Sequence, residues 1–265
     1  MSSALIPALV GAIRIFSADY CADQLALALA EPADIVALSV DADKDFSYLR
    51  GKANGIAQAR ADAEKVLAAN ADVVLRFWGG DAARLERLGV KVVTLGYAAD
   101  FDAIKENIET AAAAIDRTNE GDALISEIDQ RLTALAARGR AEISALYVTP
   151  GGVTAGKNTM IDAILNAAGV NNQAADAGHS YWPPLSAEAL IAEPPHFIVT
   201  GFFSANSERI NHWSAARHPA LRKALNATPR VDLPTDILSC PGWFSLDAAE
   251  AIRNAVDKEK AAAHE

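Results

Sequence analysis

Two widely separated stretches of this chain follow the same pattern, and this repeat constrains the fold more than any other feature. Residues 63–78 and 187–203 each begin with a short helical pattern that carries a glutamate (Glu64 and Glu188), and each continues into an apolar strand followed by two aromatic residues. The strand core begins nine positions after the glutamate in both copies. Such a repeat predicts two similar α/β lobes, and open α/β sheets bind ligands where their strands end. We therefore expect a cleft between two lobes.

The length and charge of the chain limit what it binds. Its 265 residues suit two domains of ordinary size. The net charge of −10, from 24 basic and 34 acidic residues, disfavours nucleic acid or an anionic membrane as the partner. No stretch approaches the roughly 18 apolar residues of a transmembrane helix. The first eleven residues lack the basic segment and cleavage site of a secretory signal, so we expect them to begin a mature protein.

The order of predicted elements is that of parallel sheets covered by helices. Strand and helix patterns alternate in the first and last parts of the chain, with short connections between them. Between these parts only helical patterns occur, and after a predicted break at 119–121 they indicate one long helix. The predicted fold is α/β, with two Rossmann-like lobes of mostly parallel strands at 1–118 and 141–265. A single long backbone helix at 119–140 joins them.

One glycine-rich turn indicates a different function, that of a cytosolic nucleotide-binding enzyme. Residues 151–158 follow a predicted strand, precede a predicted helix and match the Gly-x-x-x-x-Gly-Lys part of a phosphate-binding loop. Asn158 stands where this motif needs a Ser or Thr hydroxyl for magnesium, and no apolar strand ends in an aspartate for the same metal. An ordinary strand-to-helix turn explains the segment as well. In the nucleotide-binding alternative, Lys157 would be essential.

The sequence contains no recognisable catalytic or metal-binding motif. Gly-x-Ser-x-Gly, His-Glu-x-x-His and Cys-x-x-Cys do not occur, so we predict no enzymatic activity, no dedicated metal site and no resident cofactor. The five histidines are scattered at positions 179, 196, 212, 218 and 264. His179 shares a polar, aromatic loop with Tyr181, where either side chain is available to an open metal centre carried by a ligand.

Aromatic residues give the clearest indication of a binding surface. They make up 6% of the chain and gather at predicted strand ends and loops. Flat apolar side chains with polar tips suit a cleft that holds a broad ligand without covalent chemistry. We expect Phe46, Phe77 and Phe244 to pack in the core. The residues expected to contact ligand, among them neighbours of the aromatic side chains, are Tyr20, Cys21, Tyr48, Trp78, Gly79, Gly156, His179, Tyr181, Trp182, Phe202, Cys240 and Trp243.

The two cysteines, Cys21 and Cys240, leave two alternatives open. Their number permits one disulfide in an oxidising compartment, and two ordinary buried thiols explain them equally well. Both lie in predicted loops of the same kind as the aromatic residues. They therefore either meet across the cleft or touch the ligand.

The sequence resembles a known family, the class III substrate-binding proteins of bacterial ABC importers, and within it the vitamin B12 and iron-siderophore group. The resemblance covers nearly the whole chain and is carried by residues 17–24, 48–53, 63–80, 154–158, 182–188 and 240–244. The likeness to vitamin B12-binding proteins is closest at the Trp-Gly-Gly of 78–80, the Trp-Pro of 182–183 and the Trp-Phe of 243–244.

This resemblance implies a monomer with a periplasmic or lipid-anchored location that captures a corrinoid such as vitamin B12 or cobinamide in a shallow cleft. It also implies that one surface glutamate on each lobe, Glu64 and Glu188, engages arginines of the permease dimer of an ABC importer, which works with its ATPase subunits. The alternative within the class is a ferric siderophore or haem receptor, with His179 or Tyr181 as an iron ligand.

Two departures from the family pattern bear on the ligand. The disulfide of the best-known vitamin B12 binder does not involve these two cysteine positions, so no bridge is inherited from it. Basic residues near the predicted cleft are also few, which disfavours a strongly anionic catecholate siderophore. They are Arg50, Lys52, Arg76 and Lys157.

Overall fold

The computed structural model describes residues 13–203 and 219–262. In these ranges the strands are β1 (Ile15–Ser17), β2 (Ile35–Ala37), β3 (Val73–Arg76), β4 (Lys91–Thr94), β5 (Ser144–Val148), β6 (Asn171–Asn172), β7 (Phe197–Gly201) and β8 (Arg230–Leu233). The helices are α1 (Tyr20–Leu29), α2 (Ala63–Ala68), α3 (Ala82–Arg87), α4 (Phe101–Ala114), α5 (Thr118–Ala137), α6 (Met160–Ala167), α7 (Gln173–Asp176), α8 (Ala187–Ala192), α9 (Pro219–Ala227) and α10 (Ser245–Ala262). The predicted mature start, at residues 1–11, and the histidines at 212, 218 and 264 lie outside the described residues.

The strands form two sheets of the same topology. Their orders are β2-β1-β3-β4 and β6-β5-β7-β8, and all neighbouring strands are parallel. Parallel neighbours need crossover connections, which the helices supply. The prediction of an α/β fold with two mostly parallel sheets is confirmed. No helix of the described ranges is both long and apolar enough to cross a membrane.

The repeated pattern occupies the same place in each sheet. Val73 and Phe197, which begin the two repeated strands, pair with Ile15 of β1 and Ala145 of β5. In both cases the strand follows a short helix, α2 or α8, whose first turn is capped by the side chain of the preceding residue. The repeat in the sequence is therefore a structural repeat.

The long helix α5 lies between the two sheets in the chain and is 20 residues, or about 30 Å, long. The predicted break at 119–121 is wrong, because α4 ends at Ala114 and α5 has already begun at Thr118. Gly121 lies inside α5 and serves packing. A Cβ at this position would lie 2.7 Å from the Ala112 side chain, so the glycine lets α4 and α5 approach closely.

Ion pairs attach α5 to the last helix, α10. The Arg131 guanidinium contacts Asp247 at 2.6 Å and Glu250 at 2.8 Å, and Arg138 contacts Asp257 at 2.6 Å. These side chains are only partly exposed, and a network of several charges stabilises more than an isolated surface pair. The joining helix is therefore fixed along its second half to the second lobe.

Candidate functional site

The ends of the strands in the two lobes face each other. Cys21, just after β1, forms a disulfide with Cys240, which follows β8, and their Cα atoms lie 5.6 Å apart. Tyr97 follows β4, and its hydroxyl lies against the Met160 amide and the Trp182 side chain of the second lobe. These contacts all come from the carboxyl edges of the two sheets, where α/β proteins bind ligands. The structure therefore brings together the two carboxyl edges between which the ligand cleft is expected.

Four exposed aromatic side chains belong to the segments at these edges, two from each lobe. The exposed fractions are 46% for Trp78, 64% for Tyr97, 62% for Tyr181 and 48% for Trp182. Trp78 and Tyr97 follow strands of the first sheet, whereas Tyr181 and Trp182 lie in a loop of the second lobe. Large exposed apolar side chains at such edges are candidates for a binding surface.

A buried carboxylate positions Trp78. Oδ2 of Asp19 accepts hydrogen bonds from the backbone amides of Phe77, at 2.7 Å, and Trp78, at 3.0 Å. Oδ1 accepts from Cys21, at 3.1 Å, and Ala22, at 3.0 Å, and so caps α1. Burial raises the pKa of Asp19, while these amide bonds lower it. One side chain thus joins the turn after β1 to the turn that carries Trp78.

Tyr20 packs edge-on against Trp78, with ring centroids 5.3 Å apart, and against Phe46, at 5.0 Å. Burial raises the pKa of the Tyr20 phenol, and Asp19 and Asp41 raise it further, so the hydroxyl remains a hydrogen-bond donor at neutral pH. Phe46, expected in the core, is only partly buried and belongs to this aromatic group.

A cavity of about 410 Å³ opens beside this group at the carboxyl edge of the first sheet. Trp78 and Gly79 line it, and Gly79 adopts a φ of 77°, which suits glycine in this tight turn. The charged residues of the lining include four acids and two bases, namely Asp19, Asp41, Asp62, Asp81, Arg60 and Arg84. This balance offers little attraction to a strongly anionic ligand.

The basic residues that line this cavity differ from those predicted near the cleft. Arg60 and Arg84 were missed, because neither lies near a predicted strand end in the sequence. Arg50 instead forms an ion pair with Asp236 at 2.8 Å across the lobes. Lys52 donates a hydrogen bond to the Leu27 carbonyl at 3.4 Å.

The glycine-rich turn after β5 is occupied by backbone pairing. The amides of Thr154, Gly156 and Lys157 donate to the carbonyls of Pro183, Tyr181 and His179, at 3.0, 2.8 and 3.0 Å. A Cβ at Gly156 would lie 2.3 Å from the His179 carbonyl oxygen, so this glycine permits the close pairing. A phosphate-binding loop needs such amides for its phosphate oxygens. The geometry therefore favours an ordinary turn that supports the loop of Tyr181 and Trp182.

Two aromatic residues at the cleft have unusual backbone conformations. Tyr181 has a φ of 59° and Phe202, directly after β7, a φ of 63°. Bulky residues rarely adopt this left-handed region, and strain of this kind concentrates at binding sites. Phe202 and Trp182 line a second cavity, of about 190 Å³, together with Tyr97.

Other predicted ligand contacts are engaged in joining the lobes. The Tyr48 hydroxyl donates to Asp247 Oδ2 at 2.8 Å, and its ring stacks on Phe244 at 4.3 Å. Trp243 is buried and packs edge-on against Tyr48. The sulfur atoms of Cys21 and Cys240 bind each other, so neither is available to a ligand as a thiol. The structure gives these residues packing roles.

The remaining predictions have mixed outcomes. Phe244 lies in the core as expected, whereas Phe77, also expected there, is only partly buried and packs against the core. His179 is exposed near Tyr181, and within 13–203 and 219–262 no group of three or more His, Cys, Asp or Glu side chains could hold a metal ion. Tyr97 was missed, although its position after the strand at 91–94 is the same signal that identified Trp78.

Comparisons with known proteins agree with this architecture. The family described as periplasmic binding protein matches residues 15–216. A cobalamin-binding protein of Halobacterium salinarum is 32% identical over 123 residues, which are 44% of this chain. These residues span 33% of that relative, so the match covers about a third of its length.

Solved structures match nearly the whole chain. The apo form of the periplasmic heme-binding protein RhuT from Roseiflexus sp. RS-1 has a TM-score of 0.70 and 24% identity, over 93% of this chain and 100% of that one. The periplasmic vitamin B12 binding protein BtuF of Vibrio cholerae has a TM-score of 0.67 and 21% identity, over 93% and 97%. At these identities the likeness shows a shared fold.

Proposed function

The chain belongs to the periplasmic binding protein family, and on that premise we propose that it captures a corrinoid between its lobes and delivers it to an ABC importer. Members of this family are binding proteins rather than enzymes. The observation that carries the proposal is the set of exposed rings, Trp78, Tyr97, Tyr181 and Trp182, at the facing strand ends of the two lobes. Rings on both sides of a cleft hold a broad ligand by contact, without bond formation.

The charge of the cleft supports a corrinoid over a strongly anionic ligand. Carboxylates outnumber guanidinium groups around the larger cavity, and the smaller cavity has no charged side chain among its described lining residues. The cobalamin-binding relative supports the same choice. The protein itself needs no resident cofactor, since any metal enters with the ligand.

A haem or ferric siderophore is the second candidate. Tyr181 and His179 are exposed in the loop beside Trp182, where an iron atom with an open coordination site could bind a phenolate or an imidazole. The fold shared with RhuT is compatible with this ligand.

The proposed docking surface consists of two matched helix starts. Glu64 and Glu188 are exposed at the second position of α2 and α8, and neither forms an ion pair with a described residue. One turn later, Leu67 and Ile191 are exposed at equivalent positions. Because crossover helices run antiparallel to their strands, both helix starts lie at the carboxyl edges of the sheets. Two equivalent patches, each a carboxylate beside an apolar side chain, suit a two-fold symmetric permease dimer with basic residues.

The proposed location is outside the cytoplasm. A disulfide that joins the lobes persists in an oxidising compartment such as the periplasm. We further propose that the protein works as a monomer, because each chain already presents both patches.

The ligand is tested by titrating the protein with cyanocobalamin, haemin and ferrichrome while Trp fluorescence is followed. We expect saturable binding of cyanocobalamin, and Trp78→Ala should weaken it at least tenfold. Tight binding of haemin or ferrichrome, without cyanocobalamin binding, would support the second candidate. Tight magnesium-ATP binding that disappears in Lys157→Ala would reject both.

The docking surface is tested by transport rather than by affinity. Glu64→Ala and Glu188→Ala should leave ligand affinity unchanged and lower uptake through the importer, and the double variant should lower it further. Glu86→Ala, a change of another exposed helical glutamate in the first lobe, is the matched control. Unchanged uptake in the double variant would contradict docking through these residues.

A further inference from the structure

The smaller cavity lies on the second lobe's side of the cleft. Tyr97 and Trp182 line it and are also exposed in the cleft, which places them at its mouth. Apolar side chains dominate the rest of the lining, which includes Ile161, Ile164 and Leu238. At about 190 Å³ it is smaller than the roughly 300 Å³ at which pockets for whole drug-sized ligands begin. It therefore has room for part of a large ligand.

A buried phenol lines this cavity. Tyr147, on β5, is 0% exposed, and its hydroxyl oxygen has no hydrogen-bond partner among the described residues. The hydroxyl fits because position 201 is glycine: a Cβ there would lie 2.2 Å from the Tyr147 oxygen. Buried polar groups are normally paired, and an orphaned hydroxyl carries a cost that a ligand atom can remove. Burial also raises the pKa of Tyr147, so the phenol remains a donor at neutral pH.

The first lobe satisfies the equivalent position internally. Tyr147 pairs in register with Val199, as Ser17 does with Leu75, so these two residues correspond in the structural repeat. Ser17 is buried, but its hydroxyl donates to the Asp19 carbonyl at 3.3 Å. The large unpaired phenol of the second lobe therefore has no counterpart in the first lobe, and the structural repeat does not explain it.

We propose that the cavity is a subsite for an uncharged, planar, mainly apolar limb of the ligand, and that the Tyr147 hydroxyl donates a hydrogen bond to an acceptor atom on it. The aromatic rings of Tyr147, Trp182 and Phe202 around the cavity favour a planar limb. The absence of charged side chains from its described lining favours an uncharged one. This inference rests on the proposed function, because it assumes a ligand held between the lobes.

The test compares two tyrosines that each lose only a hydroxyl. In Tyr147→Phe, affinity for cyanocobalamin should fall about five- to tenfold, the usual worth of one hydrogen bond, without a fall in the thermal midpoint of the free protein. In Tyr48→Phe, the matched control, the thermal midpoint should fall because the bond to Asp247 is lost, and affinity should stay within twofold. Ile164→Phe, which adds volume to the lining, should weaken binding more than Tyr147→Phe.

Further arms identify the limb and separate the possible failures. Cobinamide has the same macrocycle without the nucleotide base. An effect of Tyr147→Phe on cyanocobalamin alone assigns the subsite to the base, and an equal effect on both assigns it to a side group of the macrocycle. If the wild type binds only haemin or ferrichrome, the same variants are titrated with that ligand. Unchanged affinity in folded Tyr147→Phe would reject the subsite but not the proposed function. A wild type that binds none of the probes would reject both.

Discussion

Asp19 is the residue whose replacement tests most directly how the fold positions the site. Its carboxylate accepts four backbone hydrogen bonds, two that cap α1 and two from the turn of Trp78. In Asp19→Asn an amide group replaces one oxygen and faces two backbone donors, whichever way the side chain turns. Two hydrogen bonds are then lost and two amides remain buried without an acceptor.

The expected loss of unfolding free energy is about 3 kcal/mol. Each hydrogen bond to a charged acceptor contributes roughly 1.5–3 kcal/mol, so two lost bonds give at least that value. Burial of the carboxylate itself costs free energy, as the raised pKa of Asp19 indicates, so we expect a loss at the lower end of this range. Because two of the four bonds hold the turn that carries Trp78, affinity for cyanocobalamin should also fall. Asp19 thus acts on binding as a positioning residue, through the turn that carries Trp78.

Urea unfolding followed by circular dichroism measures the stability, and Trp fluorescence titration below the unfolding transition measures the affinity. Asp100→Asn is the matched control, because the Asp100 side chain also caps a helix but is exposed, accepts from the Ala103 amide alone among the described hydrogen bonds, and does not line the cavity. It should lose much less stability and keep its affinity. If Asp19→Asn is no less stable than Asp100→Asn, the structural role assigned to Asp19 is wrong.

Three further results are expected. Burial raises the pKa of Asp23 from 3.8 in the unfolded chain to about 6, so the folded protein is favoured by the neutral carboxyl at low pH, and up to about 3 kcal/mol of stability is lost as the pH rises from 3.8 through 6. The urea midpoints of wild type and Asp23→Asn should therefore converge at low pH and separate above pH 6. A difference that does not change with pH would contradict this. The disulfide of Cys21 and Cys240 closes a separation of 219 residues, and the chain-entropy model gives it a stabilisation of roughly 5 kcal/mol. Reductant should therefore lower the urea midpoint of the wild type and leave that of a Cys21→Ser, Cys240→Ser double variant unchanged. A wild type that is insensitive to reductant would show that the bridge does not form. X-ray scattering with and without cyanocobalamin should show little change in the radius of gyration, because several contacts cross between the lobes and limit their movement; a large change would contradict this expectation.

Patterns local in the sequence predicted the fold well. The helix and strand that follow Glu64 and Glu188 depend on periodicity and capping, which a short segment determines by itself. The equivalent places of these two units in the sheets follow from that similarity. Gly121 shows the limit, because its role depends on the neighbouring helix. Glycine usually interrupts a helix, and only the position of Ala112 reveals that it permits close packing.

The candidate site depended on how the lobes face each other, which no local pattern specifies. Tyr48 and Trp243 have the same aromatic and polar character as Trp78, yet they pack between the lobes. Tyr97 was overlooked although it reaches the opposite lobe. A strand end is therefore a good predictor of which edge carries the site, and a poor predictor of which aromatic residues at that edge remain open to a ligand.

The contacts between the lobes lead us to expect ligand binding without a large movement of the lobes. A disulfide, the hydrogen bond from Tyr48 to Asp247 and the ion pair of Arg50 with Asp236 join the two lobes. A cleft preformed in this way loses little entropy on binding, because the rings are already in position. If the lobes stay fixed in this way, the separation of Glu64 and Glu188 should not change on binding. The proposed two-fold symmetric partner would then distinguish loaded from empty protein by the ligand itself rather than by the spacing of the two proposed docking patches.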